Sequence, residues 1–311
     1  MRPYRHLAGY LKARFGERVQ KITLDAGLTC PNRDGRVGWG GCIYCNARGS
    51  GTGAAQRGES LTAQLVAGMA NLRQRYGARK FIAYFQSYTN TYGPIPRLRA
   101  LYEEALAFPE VVGLSLGTRP DCLSEEVLDL LATLRSRVMI WLEVGLQSSH
   151  DRTLTLINRG HDVACFVRAV KAAAARGLEV VPHVILGLPG EGREDMLATA
   201  RFLGTLPVAG VKIHLLYVIR GTPLASLYEA GSYQPLEQEA YVDLVVNFLE
   251  LLPPELVIHR LTGDPHPEEL LAPHWCLNKG AVLTAIRQAF QDRGTFQGRY
   301  YSGLSRAKPG T

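Results

Sequence analysis

Three cysteines near the start of this 311-residue chain, Cys30, Cys42 and Cys45, sit in the segment T-C-P-N-R-D-G-R-V-G-W-G-G-C-I-Y-C-N, with spacing C-x11-C-x2-C. A closed structural zinc site takes four ligands, and an iron–sulfur cube normally takes four cysteines. Three thiolates leave one coordination position open, which is what a reacting metal centre needs. Gly35, Gly38, Gly40 and Gly41 let the loop turn tightly around a bulky group. Cys122, Cys165 and Cys276 form no C-x2-C pair and read as buried thiols. Cys276, beside His274 and Trp275, is the one placed to reach a substrate. A zinc loop borrowing a distant fourth ligand is the alternative reading.

The elements that must position these cysteines follow from the apolar runs. Candidate strands are 19–25, 80–86, 111–117, 138–145, 178–187, 210–217 and 256–262. Most are near-continuous apolar stretches, as expected for parallel strands covered on both faces. Helical patterns lie between them. Ser124 and Asp162 are N-cap candidates, Gly177 is a stop, and Pro189-Gly190 opens a helix whose first turn carries Glu191, Glu194 and Asp195. The series is βαβ, so an α/β fold is expected. Pattern alone leaves open a closed or partial barrel and a doubly wound sheet. The cysteine loop directly follows the first strand, at its C-terminal end. In a barrel that end is the active-site face. The Gly-rich stretch 46–58 reads as a mobile loop.

Other residues stand out by type. Glu143 lies inside the apolar run W-L-E-V-G, and buried carboxylates are rare unless paired. Arg119, in L-G-T-R-P-D, can pair with a carboxylate or serve as a surface turn residue. His183 reads equally as a barrel-facing group or a core histidine. Strand alternation puts Lys212, His214 and Leu216 on one face, Leu215 and Tyr217 on the other.

The composition, 46% hydrophobic and 20% charged, is that of a soluble enzyme with a sizeable core. No apolar run is long enough to span a membrane and no signal peptide is visible, so a cytoplasmic, reducing location is expected. The net charge of +7 gathers at the ends. Residues 1–21 carry six cations against Glu17, and residues 279–311 six against Asp292. Tyr4, Tyr10 and Phe15 interleave the first group; Phe290, Phe296, Tyr300 and Tyr301 interleave the second. Such segments suit a polyanion such as RNA, or simply a solvated surface.

The cysteine segment resembles the cluster loop of the radical S-adenosylmethionine (SAM) superfamily, whose usual form is C-x3-C-x-aromatic-C. The first gap here is longer, but C-I-Y-C keeps an aromatic, Tyr44, before the last cysteine. The long gap resembles the Elongator catalytic subunit and a bacterial YtqA/YhcC-type group of stand-alone proteins. Four later stretches, within about residues 20–220, carry the same resemblance: F-Q-S-Y-T-N-T-Y, L-G-T-R-P-D, W-L-E-V-G-L-Q-S with I-N-R-G-H, and H-V-I-L-G-L-P-G-E. The family's double glycine after the second strand is missing, and Gly117 stands where Elongator-like proteins have an acid.

The resemblance implies a partial (β/α)6 TIM-like barrel over 19–265, with basic extensions at 1–18 and 266–311. It implies a [4Fe–4S] cluster on Cys30, Cys42 and Cys45 and SAM beside it. Reductive cleavage of SAM to a 5′-deoxyadenosyl radical would follow. The matching SAM contacts are Tyr44, Ser87, Thr89, Asn90, Glu143, Gln147 and Arg159, with Val184, Leu186 and Gly187 holding adenine. The implied substrate is tRNA, modified at the C5 side chain of the wobble uridine from carboxymethylaminomethyl to aminomethyl. The reductant is an external flavodoxin or ferredoxin. A radical SAM enzyme on a small metabolite or porphyrin, an iron–sulfur electron carrier and a structural zinc protein are the rival readings.

Overall fold

Continuous apolar strands need cover on both faces, and the fold supplies it. A computed structural model describes residues 3–46, 49 and 51–302. Ala47, Arg48 and Ser50 of the expected mobile loop lie outside the described residues. The elements run α1 (Leu7–Phe15), β1 (Val19–Leu24), α2 (Leu61–Tyr76), β2 (Lys80–Phe85), α3 (Ile95–Leu106) and β3 (Val111–Thr118). Then come α4 (Glu125–Arg135), β4 (Met139–Gln147), α5 (Asp151–Leu156), α6 (Val163–Ala175), β5 (Glu179–Leu186) and α7 (Arg193–Gly204). The chain closes with β6 (Gly210–Leu215), β7 (Val218–Ile219), α8 (Pro223–Glu229), α9 (Gln238–Glu250), β8 (Val257–Arg260), β9 (Leu270–Ala272) and α10 (Lys279–Asp292).

Seven strands form one sheet in the order β1-β2-β3-β4-β5-β6-β8, and the registers pair every neighbour in parallel. A doubly wound sheet reverses its strand order at a switch point. This one never does, so it curls as a partial barrel. It has seven strands rather than six, because 257–260 joins the same sheet. A short antiparallel pair, β7 with β9, was not expected.

The helix ends are built largely as read. Ser124 Oγ accepts from the Val127 N–H and Asp162 Oδ1 from that of Cys165, at 3.4 and 2.7 Å. Gly177 adopts φ +68. Glu191 is a correction. Helix α7 begins at Arg193, and Glu191 instead accepts a hydrogen bond from Ser148 Oγ before the helix starts.

The main core lies between the sheet and its helices. A separate cluster closes the lower end of the barrel, where the strands begin. There Leu11 of α1 is buried with Val19, Ile82, Met139, Trp141 and Val181, and Tyr10 and Phe15 pack alongside. Arg5, Arg14 and Arg18 sit at this end, bonded to Glu255 O, Glu179 and Tyr76 O. Tyr4 packs on the buried Phe290. Arg5, Arg14 and Arg18, with Tyr10 and Phe15, therefore gather at the end opposite the cysteine loop, whereas Lys21 turns into the barrel. Among the described residues no helix is long and apolar enough to cross a membrane.

Candidate active site

A cavity of about 570 Å³ opens at the C-terminal ends of the strands. Cys30, Cys42, Tyr44 and Cys45 line one side of it. Turns stabilise the loop: Arg33 and Asp34 N–H donate to Cys30 O, and Cys45 N–H to Cys42 O at 3.0 Å. Gly35, at φ +91, allows a tight return in which a Cβ would stand 2.3 Å from the Trp39 ring. Among the described residues no three His, Cys, Asp or Glu side chains close on a single ion.

Arg159 binds this loop to the barrel. Its Nη1 donates to Cys42 Sγ at 3.7 Å and its Nη2 to Gly145 O at 2.9 Å. A Cβ on Gly145 would lie 2.4 Å from that Nη2, so only glycine leaves the guanidinium room. A hydrogen bond from the Cys45 thiol, with Arg159 and Tyr44 beside it, holds the Cys42 thiol well below its ordinary range. Donating that bond pushes the Cys45 thiol well above. Arg119 supports Arg159: it forks onto Asp121 with two 2.8 Å bonds and donates to Arg159 O at 2.8 Å.

Arg159 Nε and Gln147 Oε1 are among the buried polar atoms at this end that have no protein partner. Gln147 follows a register shift in β4 and sits at φ +78, an uncommon backbone for a residue with a side chain. A spare cationic donor and a spare amide acceptor beside three thiols suit an amino-acid carboxylate and amine next to a cluster. The residues present thus fit both SAM and an iron–sulfur cube.

Glu143 lines the same cavity within a dense set of polar partners. Its side chain has no exposure. Oε1 accepts from Ser115 Oγ at 2.6 Å and from Lys21 Nζ; Oε2 takes Lys212 Nζ at 2.7 Å and His183 Nε2 at 2.7 Å. Burial opposes ionisation of this carboxyl, but the two ammonium groups and His183 overcome it and hold it well below its usual range. Burial lowers the Lys212 ammonium to about 7 despite Glu143, with Arg260 and Lys21 adding repulsion. Burial likewise lowers the His183 imidazole to about 4.

The remaining expected residues divide. Thr89 lines the cavity, as do Gln86 and Tyr88. Ser87 and Asn90 are buried behind it, and Asn90 Nδ2 ties Phe85 O to Gly117 O, each at 3.0 Å. On β5 the residue facing the cavity is Ile185, with His183. Val184 and Leu186 point into the main core by strand alternation, and Gly187 closes a turn against Tyr233. His214 lines the cavity beside Lys212. Cys276 and Cys122 are buried, Cys276 within the main core, whereas Cys165 is partly exposed. Cys276 is thus removed from the site.

Lys21, Tyr84 and Arg260 were missed by sequence reading. The signal was present for two of them: V-Q-K-I-T-L and V-I-H-R-L place a cation inside a strand pattern, as W-L-E-V-G places an acid.

Comparison with known proteins supplies the family. The Radical SAM superfamily model matches residues 32–203, and the Radical_SAM C-terminal domain model matches 208–292. The uncharacterized protein YtqA of Bacillus subtilis is 44% identical over 301 residues, 97% of this chain and 94% of that one. Elongator complex protein 3 of Schizosaccharomyces pombe is 33% identical over 171 residues, 52% of this chain and 31% of its own length. The solved archaeal Elp3 of Methanocaldococcus infernus, with an N-terminal deletion, shares the fold at a TM-score of 0.69 and 17% identity, over 90% of this chain and 64% of that one. This chain belongs to the radical SAM superfamily, and the cofactors of its chemistry are a [4Fe–4S] cluster and S-adenosylmethionine.

Proposed function

We propose that this radical SAM enzyme modifies tRNA, converting the carboxymethylaminomethyl group at C5 of the wobble uridine toward aminomethyl. In this reading Cys30, Cys42 and Cys45 hold the cluster, while Arg159, Gln147 and Thr89 hold SAM. When bound, these groups supply one-electron chemistry that ends in removal of a hydrogen atom from the substrate. The chain's own residues orient the substrate and keep water away from it.

The observation that carries the proposal is the cavity's two-sided character. The cysteine loop forms one wall; β5, β6 and β8 form another, with His183, Lys212, His214 and Arg260. That wall suits an acidic side chain on the substrate. A second feature supports a nucleic acid. Trp39 is 75% exposed on the cysteine loop, in the same loop as Arg33, which lines the cavity, and the exposed Arg36. An exposed indole on a loop that carries arginines suits an unstacked base. The reductant in this proposal is an external flavodoxin or ferredoxin, and the setting is the cytoplasm.

Mass spectrometry of tRNA nucleosides from a strain lacking the gene tests the reading. The carboxymethylaminomethyl nucleoside should accumulate and its aminomethyl descendants disappear. An unchanged profile removes tRNA as the substrate and directs attention to a small acidic metabolite.

A further inference from the structure

Strand β8 reads Val257-Ile258-His259-Arg260, and its pairing with β6 slips by one residue. Val211 faces Ile258, yet the next residue, Lys212, faces Arg260. His259 is the additional residue. Such a bulge redirects the side chains that follow it. Ile258 is packed in the main core between the sheet and its helices. Strict alternation would send Arg260 to that same side. Instead His259 packs on Trp141, with ring centroids 4.4 Å apart, and Arg260 lines the cavity. The register then places His183, Lys212 and Arg260 in one row across three neighbouring strands.

The charges in this row do not balance. Lys21 and Lys212 both bond to a single buried carboxylate, Glu143, whose two oxygens are already occupied, and Arg260 adds a further cation on the cavity wall. Arg260 has no hydrogen bond or ion pair among the described residues. Two other acids line the cavity, and both are engaged: Asp264 with Lys279 at 3.0 Å, Glu269 with Asn46 Nδ2 at 3.1 Å. Lys212 Nζ donates to Tyr84 Oη and Glu143, which leaves its third proton free. The buried His214 Nε2 has no partner. A guanidinium fork, an ammonium proton and a ring nitrogen thus share one cavity, and among the described residues no carboxylate bonds to Arg260 or His214.

We propose that Arg260, with Lys212 and His214, forms a subsite for the carboxylate of the substrate's reacting side chain. Guanidinium and carboxylate match as a planar two-bond fork. Binding there holds the adjoining carbon in the cavity shared with the cysteine loop. The identity of the carboxylate rests on the wobble-uridine reading; the donor set does not. A phosphate would satisfy the same donors, so the test separates the two.

Equilibrium dialysis of the reconstituted protein with SAM uses N-benzylglycine, which repeats the secondary amine and carboxylate, and benzylamine, which lacks the acid. Wild type should bind N-benzylglycine, and Arg260→Gln should weaken it at least tenfold (about the worth of one charged fork) while leaving benzylamine unchanged. Arg260→Lys, which keeps the charge without the fork, should fall between. Equal binding by wild type and Arg260→Gln overturns the subsite. So does displacement of N-benzylglycine by inorganic phosphate at lower concentration than by acetate. A second arm compares tRNA bearing carboxymethylaminomethyluridine with tRNA bearing aminomethyluridine. Wild type should prefer the first and Arg260→Gln should lose that preference. Selectivity for N-benzylglycine without a tRNA preference keeps the subsite and overturns the wobble-uridine reading.

Discussion

Lys212 Nζ lies 2.7 Å from Glu143 Oε2, and this pair joins β6 to β4 across the inside of the barrel. Lys21 reaches the same carboxylate from β1, so one acid ties together three strands that are not neighbours in the sheet. Its value is the avoidance of buried, unpaired cations rather than the strength of any one bond.

Glu143→Gln should therefore lower unfolding free energy by about 3 kcal/mol, the low end for breaking a buried pair, since Lys21 keeps some contact with water. Urea denaturation measures it. A companion Lys212→Met should return part of the loss. A change below about 1 kcal/mol would show that the cluster is not holding the strands.

Alanine at Cys30, Cys42 or Cys45 should abolish cluster absorption after anaerobic reconstitution and leave the unfolding midpoint nearly unchanged. Cys276→Ala should do the reverse, because Cys276 is packed in the main core. Retention of a full cluster by any of the three loop variants would sink their assignment.

Arg159→Lys keeps a charge but loses the planar fork that reaches both Cys42 and Gly145 O. SAM affinity should fall about tenfold or more, read by dialysis with labelled SAM. Unchanged affinity would remove Arg159 from the SAM contacts.

Acid should destabilise the fold through its buried histidines. Burial lowers His183 to about 4 and His161 to about 2, and holds His214 and His259 well below the free value of 6.5. The unfolded chain takes up these protons first, so stability is lost as pH falls from 6.5 toward 4. Lys212, lowered from 10.5 to about 7, has the same sign in its own window: stability grows as pH rises from 7 toward 10.5. Urea midpoints at pH 7, 5.5 and 4.5 give the slope, and a flat profile contradicts the buried neutral histidines.

Leu11→Ala should cost about 2–4 kcal/mol, because Leu11 is buried where α1 closes the lower end of the barrel. A cost within about 0.5 kcal/mol would make α1 a surface appendage.

All seven strands of the main sheet were legible because each is a short apolar run between turn or cap residues. The cysteine spacing and the misplaced acid at Glu143 were legible for a similar reason: residue type conflicted with local pattern. Facing was not legible for Val184 and Leu186, because 184–186 is a continuous apolar stretch and the adjoining His183 reads equally as barrel-facing or core. The tie made by Asn90 was hidden as well, since its partners Phe85 O and Gly117 O belong to different strands.

What the residues determined by themselves was the α/β series, the position of the cysteine loop after the first strand, and an open coordination position. Those follow from periodicity, turn chemistry and ligand count, all local along the chain. Only the tertiary structure decided that two lysines and His183 share Glu143 and that Arg260 turns inward beside Lys212. Charge balance depends on which strands become neighbours, and inward aim depends on a one-residue slip between two strands more than forty residues apart.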